Sequence, residues 1–225
     1  SFTQLLWLAF FANKLTHEKK SSTLRDVYYS SQAFAVDFED QGESDNIIVD
    51  LEAVDTRYTK EWKEHLPKQL QRASNQAVVT ISGGDTPQAT TPGAFLNFGG
   101  TNVYKSAQME KIGKMFCDGK IKDGDYFLYT DAWNPTVIQL KYMAELLGVK
   151  IKIGGMWHAG SYDPQAFLGR LIGDADWVRN TERAMFDVFD HNFFATSFHI
   201  DMFTETFKET GKYLGLNPGP KEKIS

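Results

Sequence analysis

From Ile47 onward, short apolar runs recur along the chain and are separated by longer amphipathic stretches. Runs of four or five β-branched or aromatic residues predict strands, and the stretches between them have the length and periodicity of helices. Strands that alternate with helices favour right-handed βαβ units and a parallel sheet. We therefore predict an α/β domain with about five parallel strands, at residues 47–51, 77–81, 126–129, 149–153 and 193–196.

Two of the helical stretches carry specific signals. Asn134 is suited to cap a helix, Pro135 to its first position, and Gly148 to its end. Between Pro135 and Gly148, an apolar stripe at helical spacing should face the core. In the stretch that starts at Thr59, proline chemistry predicts a break before Pro67, at residues 65–66. The members of the predicted apolar stripe are Leu140, Met143, Ala144 and Leu147.

The two ends of the chain differ in texture from the α/β pattern. Residues 2–17 are apolar on nearly every helical face, which indicates a packed helix. Their most apolar part, residues 5–12, is far shorter than the ~20 residues of a membrane span. Residues 211–225 are rich in polar residues, proline and glycine and predict a flexible tail. We therefore divide the chain into a helical segment 1–46, a domain 47–210 and a tail 211–225.

Charge and cysteine content limit the classes of function. The formal net charge is -5, so any contact with nucleic acid requires a local basic patch. Cys117 is the single cysteine, which excludes an internal disulfide and an all-cysteine zinc site. A lone thiol fits a reducing compartment, and we expect a cytoplasmic protein without a membrane partner.

Candidate site residues follow the predicted strands. Ligands of open parallel sheets bind beyond the carboxyl ends of the strands, where four loops here carry glycine, polar or aromatic residues. Asp131 and His158 are the candidate catalytic residues, since either could accept a proton from an attacking hydroxyl. The alternative is that Asn134 only caps a helix and that His158 only ties two loops together. The predicted substrate-binding residues are Gly83, Gly84, Asp85, Trp133, Asn134, Gly160, Ser161, Tyr162 and His199.

No metal site is predicted from residue spacing. His191 and His199 are eight positions apart, which is not a zinc spacing. The pairs Asp123/Asp125 and Asp174/Asp176 could hold a divalent cation but are common in loops. Residues 99–102 could present backbone N–H groups to an anion or form a glycine turn.

A resemblance covers about residues 50–210, over the stretches 83–113, 124–149, 156–173 and 193–203. Together these stretches resemble phage-type glycosyltransferases with a two-Rossmann, GT-B-like layout. The resemblance implies a Rossmann-like fold and the transfer of a sugar from a nucleotide-sugar donor to an acceptor, for which a modified DNA base is one candidate. It also implies that no cofactor is tightly bound and that this chain is the acceptor-side half, with a donor-binding C-terminal domain missing.

A second resemblance covers about residues 1–53 and is carried by residues 22–53, which contain Arg25, the Tyr28-Tyr29 pair and an acidic loop. This stretch is similar to the winged-helix region of the topoisomerase VI A subunit. The resemblance implies that Tyr29 attacks a DNA phosphate with help from Arg25, and that Mg²⁺ is held by a Glu and a D-x-D at strand ends. At Asp131 the sequence has Trp133 where a D-x-D would place its second aspartate.

Three functional hypotheses result. The leading one is the acceptor-side half of a glycosyltransferase with a winged-helix-like N-terminal extension. The alternative is a DNA-binding and cleaving module of the topoisomerase VI A type, with Tyr29 as nucleophile. The third is a Rossmann-like domain that acts by binding alone. The first two differ over residues 47–53, where the glycosyltransferase resemblance predicts a strand and the topoisomerase resemblance predicts a helix.

Overall fold

The computed structural model describes residues 46–49, 59–73, 77–86, 89–92, 97–173 and 175–214. The predicted helical segment, apart from Asn46, and residues 215–225 of the predicted tail lie outside this part. The strands are β1 (Asn46–Val49), β2 (Val78–Ile81), β3 (Tyr126–Tyr129), β4 (Lys152–Trp157) and β5 (His191–Phe194). The helices are α1 (Thr59–Ala73), α2 (Phe98–Cys117), α3 (Thr136–Leu147), α4 (Phe167–Leu171), α5 (Asp176–Val188) and α6 (Ser197–Leu214).

All five strands form one parallel sheet in the order β2-β1-β3-β4-β5. The chain first moves outward from β1 to β2, then crosses back over β1 to β3 and continues in one direction to β5. The predicted α/β fold with a five-stranded parallel sheet is confirmed. None of the helices in the described ranges is long and apolar enough to cross a membrane.

The two faces of the sheet carry separate cores. On one face, Phe127, Tyr129, Ile153 and Trp157 pack with buried residues of α2, α3, α5 and α6. On the other face, a smaller cluster is built from strand residues and the buried side chains of α1. Alternate residues of each strand feed the two clusters, as the two-residue period of a strand requires. The members of the smaller core are Ile48, Leu66, Leu70, Tyr126, Leu128 and Phe193.

The first predicted strand exists, and it is an interior strand of the sheet, second from one edge. β1 pairs with β2 on one side and β3 on the other, with Ile47 beside Val79 and Phe127. Its described part ends at Val49, and residues 50–58 lie outside the described ranges. The described residues 46–49 are therefore a strand, as predicted, and not the helix that the topoisomerase resemblance implies.

The predicted end of β4 is wrong. The strand runs from Lys152 to Trp157, so Gly154 and Gly155 belong to the sheet and not to the following loop. A Cβ on Gly155 would lie 2.5 Å from Cζ of Phe189, and one on Gly154 would overlap the hydroxyl oxygen of Tyr126. The two glycines are there because aromatic rings pass directly over this strand on both faces.

The break predicted at Pro67 is also wrong, because α1 continues through it to Ala73. Proline in a helix interior costs about 3 kcal/mol. Leu66 and Leu70, on either side of it, are buried against the sheet, and this packing offsets the cost.

The observed bounds of α3 agree more closely with the prediction from the sequence. It begins after Pro135 and ends at Gly148, whose φ of 70° is the left-handed conformation that glycine adopts readily. Leu140 and Ala144 of the predicted stripe are buried, but Leu147 is 60% exposed. Leu147 lies in the last turn, where the helix has passed beyond the core.

The crowding at Gly155 gives a testable prediction. Gly155→Ala should lower the free energy of unfolding by about 1–3 kcal/mol, because the new Cβ overlaps the buried ring of Phe189. Urea denaturation followed by circular dichroism measures the change. Gly113→Ala is the matched control: its Cβ meets nothing within 4 Å in the interior of α2, and it should stabilise by up to about 1 kcal/mol. Equal effects of the two substitutions would contradict the prediction.

Candidate functional site

The strand order reverses direction between β1 and β3, and open α/β sheets bind ligands at the carboxyl ends of the strands beside such a reversal. The residues after β1 lie outside the described ranges. The loop after β3 is fixed to the end of β1 by Thr130, whose backbone N–H and Oγ1 each donate to the Val49 carbonyl at 3.1 Å. Among the described loops at the carboxyl edge, those after β3 and β4 lie on the β3 side of this reversal.

In the loop after β3, Asp131 is engaged by its neighbours. Its Oδ1 accepts a hydrogen bond from the Trp133 backbone N–H at 3.1 Å, and its Oδ2 lies 3.6 Å from Nζ of Lys105. The same Lys105 ammonium donates to the Trp133 carbonyl at 2.5 Å. One lysine from α2 thus holds both the carboxylate and the backbone of this loop.

The loop after β4 is tied to the loop after β3. His158 follows β4 directly, and its Nε2–H donates to the Thr130 carbonyl at 2.6 Å. The Trp62 ring of α1 stands edge-on to the His158 ring, with centroids 5.6 Å apart. In this structure His158 therefore joins two loops, the arrangement offered above as the alternative to a catalytic role.

A buried carboxylate, Glu182 of α5, binds both loops. Its Oε1 accepts from Nε1 of Trp133 at 2.9 Å and from the backbone N–H of Ser161 at 2.6 Å. Its Oε2 accepts from Oγ of Ser161 at 2.8 Å and lies 3.8 Å from a guanidinium nitrogen of Arg179. A Cβ on Gly160 would come within 2.8 Å of the Glu182 carboxylate, so the loop can approach only because residue 160 is glycine.

Tyr162 and His199 form a buried pair beside this carboxylate. The Tyr162 hydroxyl lies 2.6 Å from Nε2 of His199. Burial lowers the pKa of His199, so the imidazole is held neutral and can accept the hydroxyl proton in a hydrogen bond. Burial, and next the charge of Glu182, raise the pKa of Tyr162, so the phenol stays protonated.

The remaining predicted binding residues lie apart from this cluster or serve their own loops. Gly83 packs against Tyr104 at the end of β2, on the far side of β1 from β3, and Gly84 and Asp85 next to it are exposed. The Oδ1 atom of Asn134 accepts from the Thr136 backbone N–H at 3.3 Å and from its hydroxyl at 2.8 Å. Asn134 therefore secures the start of α3.

The other residues considered as metal or anion ligands do not lie together in the structure. His191 begins β5 whereas His199 follows it, so they lie at opposite edges of the sheet. Asp123 and Asp125 accept backbone N–H bonds from Lys150 and Lys122 before β3 begins. The Asn97 side chain caps the helix that starts at Phe98, so the N–H of Gly100 is already used. Among the described residues, no three His, Cys, Asp or Glu side chains are grouped to hold a metal. Asp174 lies outside those residues.

Sequence reasoning missed Glu182 and Lys105, although one signal was present. Glu182 occupies a core position of the α5 stripe that also contains Val178, Met185 and Phe186. A glutamate among apolar residues at i, i+4, i+7 and i+8 indicates a buried carboxylate that needs donors. Lys105 gave no comparable signal, because its partners come from a loop 28 residues away in sequence.

Comparison with known proteins finds a similarity in the N-terminal region. Residues 1–55 match the family model for type IIB DNA topoisomerase. The chain is also similar to the A subunit of type 2 DNA topoisomerase 6 from Methanothermobacter thermautotrophicus, with 38% identity over 82 residues, which are 36% of this chain and 23% of that relative. A stretch of 82 residues cannot end before β2 does, so the similarity extends into the α/β domain.

These matches overturn the glycosyltransferase prediction. Both point to the topoisomerase VI A subunit, and neither supports a phage-type nucleotide-sugar enzyme or sugar donors and acceptors as partners. The error came from the alternating βαβ pattern and glycine-bearing loops, which unrelated doubly wound domains share. The strand at residues 46–49 lies within the family match, so a strand there does not exclude a topoisomerase relative.

The described residues do not fit the Mg²⁺ site that the topoisomerase resemblance implies. At the end of β3, Asp131 is followed two positions later by Trp133, and the Lys105 ammonium already lies beside its carboxylate. Glu182 is buried and accepts three hydrogen bonds from the loops. The carboxylates of this edge therefore serve the packing of the loops.

Glu182 gives the first prediction from this site. Glu182→Gln should lower the free energy of unfolding by about 3 kcal/mol, because one buried acceptor oxygen becomes a donor facing Trp133 or Ser161. The control Glu145→Gln removes an exposed carboxylate paired with Lys141 on α3 and should change stability by less than about 0.5 kcal/mol. Urea denaturation measures the free energy of unfolding of both variants. Equal values for the two variants would refute the role given to Glu182.

The buried side chain of His199 gives the second prediction from this site. Because the folded-state pKa of His199 lies below its ordinary value of about 6.5, protonation favours unfolding, so the stability is fully present above that pH and is lost as the pH falls below it. Thermal unfolding between pH 8 and pH 5 should show Tm falling on the acid side. His199→Gln should lower Tm at every pH yet flatten this acid slope. An unchanged slope would show that His199 does not contribute.

Proposed function

We propose that the chain is a DNA-binding module related to the A subunit of type IIB topoisomerases. The observation that carries this proposal is the family match over residues 1–55, which includes Arg25 and the Tyr28-Tyr29 pair. The similarity to the topoisomerase 6 relative, which reaches into the α/β domain, supports the same relationship. The matched stretch spans 23% of that relative, so the activity of the whole relative is not carried over.

Charge within the matched region supports DNA as the partner. Between Lys14 and Arg25 the sequence has four lysine or arginine residues and one acidic residue, Glu18. The overall charge of -5 means that this short run is a local basic patch, the kind of feature that binds phosphates on an otherwise acidic protein. In the proposed complex Arg25 binds a phosphate, and Tyr29 lies four residues further along. The cytoplasm, with its reduced thiols and accessible DNA, is the proposed location.

We further propose that the chain binds DNA without cutting it unaided. A tyrosine hydroxyl can form a covalent phosphodiester, but it needs help to lose its proton and to stabilise the leaving oxygen. Metal-bound carboxylates would give that help, and the resemblance assigns it to a D-x-D. At the end of β3 this chain has instead one aspartate, which is paired with Lys105. The function supported best is therefore binding, with Tyr29 as a contact residue.

The prediction concerns Arg25. Arg25→Ala in the intact chain should weaken binding to a fluorescein-labelled DNA duplex about three- to tenfold and reduce the slope of log affinity against log salt by about 1, because one phosphate contact is lost. Fluorescence anisotropy from 50 to 200 mM salt measures both quantities. Arg72→Ala is the control, since it removes an exposed arginine at the end of α1, outside residues 1–55 of the family match.

Equal losses from the two arginine variants, or no binding of the parent chain at 50 mM salt, would contradict the proposal. The same preparations, incubated with supercoiled plasmid and Mg²⁺, should leave it intact. Nicking that Tyr29→Phe abolishes would show that the chain cleaves DNA and would refute the claim that it only binds.

A further inference from the structure

α3 is apolar on the side that faces solvent as well as on the side that faces the core. Val137, Leu140 and Ala144 are buried against the sheet. On the opposite side Ile138, Tyr142 and Leu146, spaced by four residues, form a stripe that reaches 69% exposure at Leu146. Contiguous apolar patches on a protein surface mark interaction sites, so we expect this outer stripe to be covered.

A groove runs beside the stripe, between α2 and α3. It has a volume of about 540 Å³, and Met109 and Met143 in its lining also pack against the main core. Methionine side chains adapt to the shape of an apolar partner. The stripe and the groove together are called the α2–α3 face. The other residues that line the groove are Ser106, Glu110, Thr136, Gln139 and Tyr142.

The chain itself contains an apolar segment that needs an apolar surface to cover it. Residues 5–12 read LLWLAFFA, eight apolar residues in succession, and Phe2 adds a further ring. Such a segment has no polar side to turn to water, and its aromatic rings each bury 150–250 Å² when covered, by the order of magnitude usual for them. Residues 13–45 separate it from β1 and can span up to about 100 Å, against the ~40 Å diameter of a domain of this size.

A tethered segment fits the α2–α3 face better than a second copy of the chain does. A second copy of the chain would have to reach this face at its own, lower concentration in solution. An intramolecular partner needs less area, because its effective concentration is in the millimolar range. We propose that residues 2–12 dock on the α2–α3 face and so attach the N-terminal region to the α/β domain.

Photo-crosslinking of the full chain tests this. In a Cys117→Ser background, Gln139→Cys places an exposed thiol at the groove for a benzophenone label, and Gln71→Cys places one on α1, on the other face of the sheet. After irradiation and digestion, mass spectrometry should find crosslinks from position 139 to residues 2–12 of the same molecule, at least tenfold more often than from position 71. Equal yields from the two positions would overturn the proposal.

Two leucine variants make the result specific to the α2–α3 face. Leu146→Asp in the stripe should reduce the crosslinks from position 139 about tenfold. The control Leu171→Asp, at a similarly exposed leucine of α4, should leave them unchanged. Circular dichroism confirms that both variants are folded, as expected for exposed positions. An undiminished yield with Leu146→Asp, or crosslinks that join two molecules as a covalent dimer, would overturn the proposal in favour of another position for the segment or a second copy as the occupant.

Discussion

The carboxylate of Glu182 is the interaction on which the carboxyl edge of the sheet depends. It is fully buried, and it accepts hydrogen bonds from Trp133, in the loop after β3, and from Ser161, in the loop after β4. Burying a carboxylate costs free energy unless hydrogen-bond donors surround it. The burial of Glu182 therefore depends on the donors of both loops, and the loops are held in place by Glu182. Gly160 belongs to the same arrangement because only a residue without a side chain allows the loop to pass this close.

The polar groups of this edge are consequently committed to the protein itself. His158 donates to the backbone of the loop after β3, Lys105 holds Asp131, and Tyr162 pairs with His199. In the fold, these residues from the predicted site thus make hydrogen bonds and an ion pair within and between neighbouring segments. Polar side chains after successive parallel strands must come together, but proximity alone does not decide whether they face a ligand or one another.

The sequence was informative where one local rule dominates and less so where distant residues meet. The alternation of strands and helices, the start of α3 at Asn134-Pro135 and its end at Gly148 follow from local chemistry and could be predicted.

Local rules wrongly place Gly154 and Gly155 in a loop. The rings of Tyr126 and Phe189 make glycine necessary inside β4, but these rings are remote in sequence, so local rules do not include them. They place a break at Pro67 because the packing of Leu66 and Leu70 against the sheet is tertiary. Lys105 was missed for the same reason. The resemblance over about residues 1–53 rested on an unusual combination, a tyrosine pair before an acidic loop, and it pointed to the family that the comparisons found.

The position of β1 links the N-terminal region to the sheet more closely than a division into two domains suggests. The family match ends at residue 55, beyond the described end of β1 at Val49. β1 is an interior strand between β2 and β3, and it contributes Ile47, Ile48 and Val49, which are all buried and are shared between the two cores. A cut at the end of the family match would remove this strand, separate β2 from the rest of the described sheet and expose the edge of β3. The described sheet is therefore complete only with part of the region that matches the topoisomerase family model.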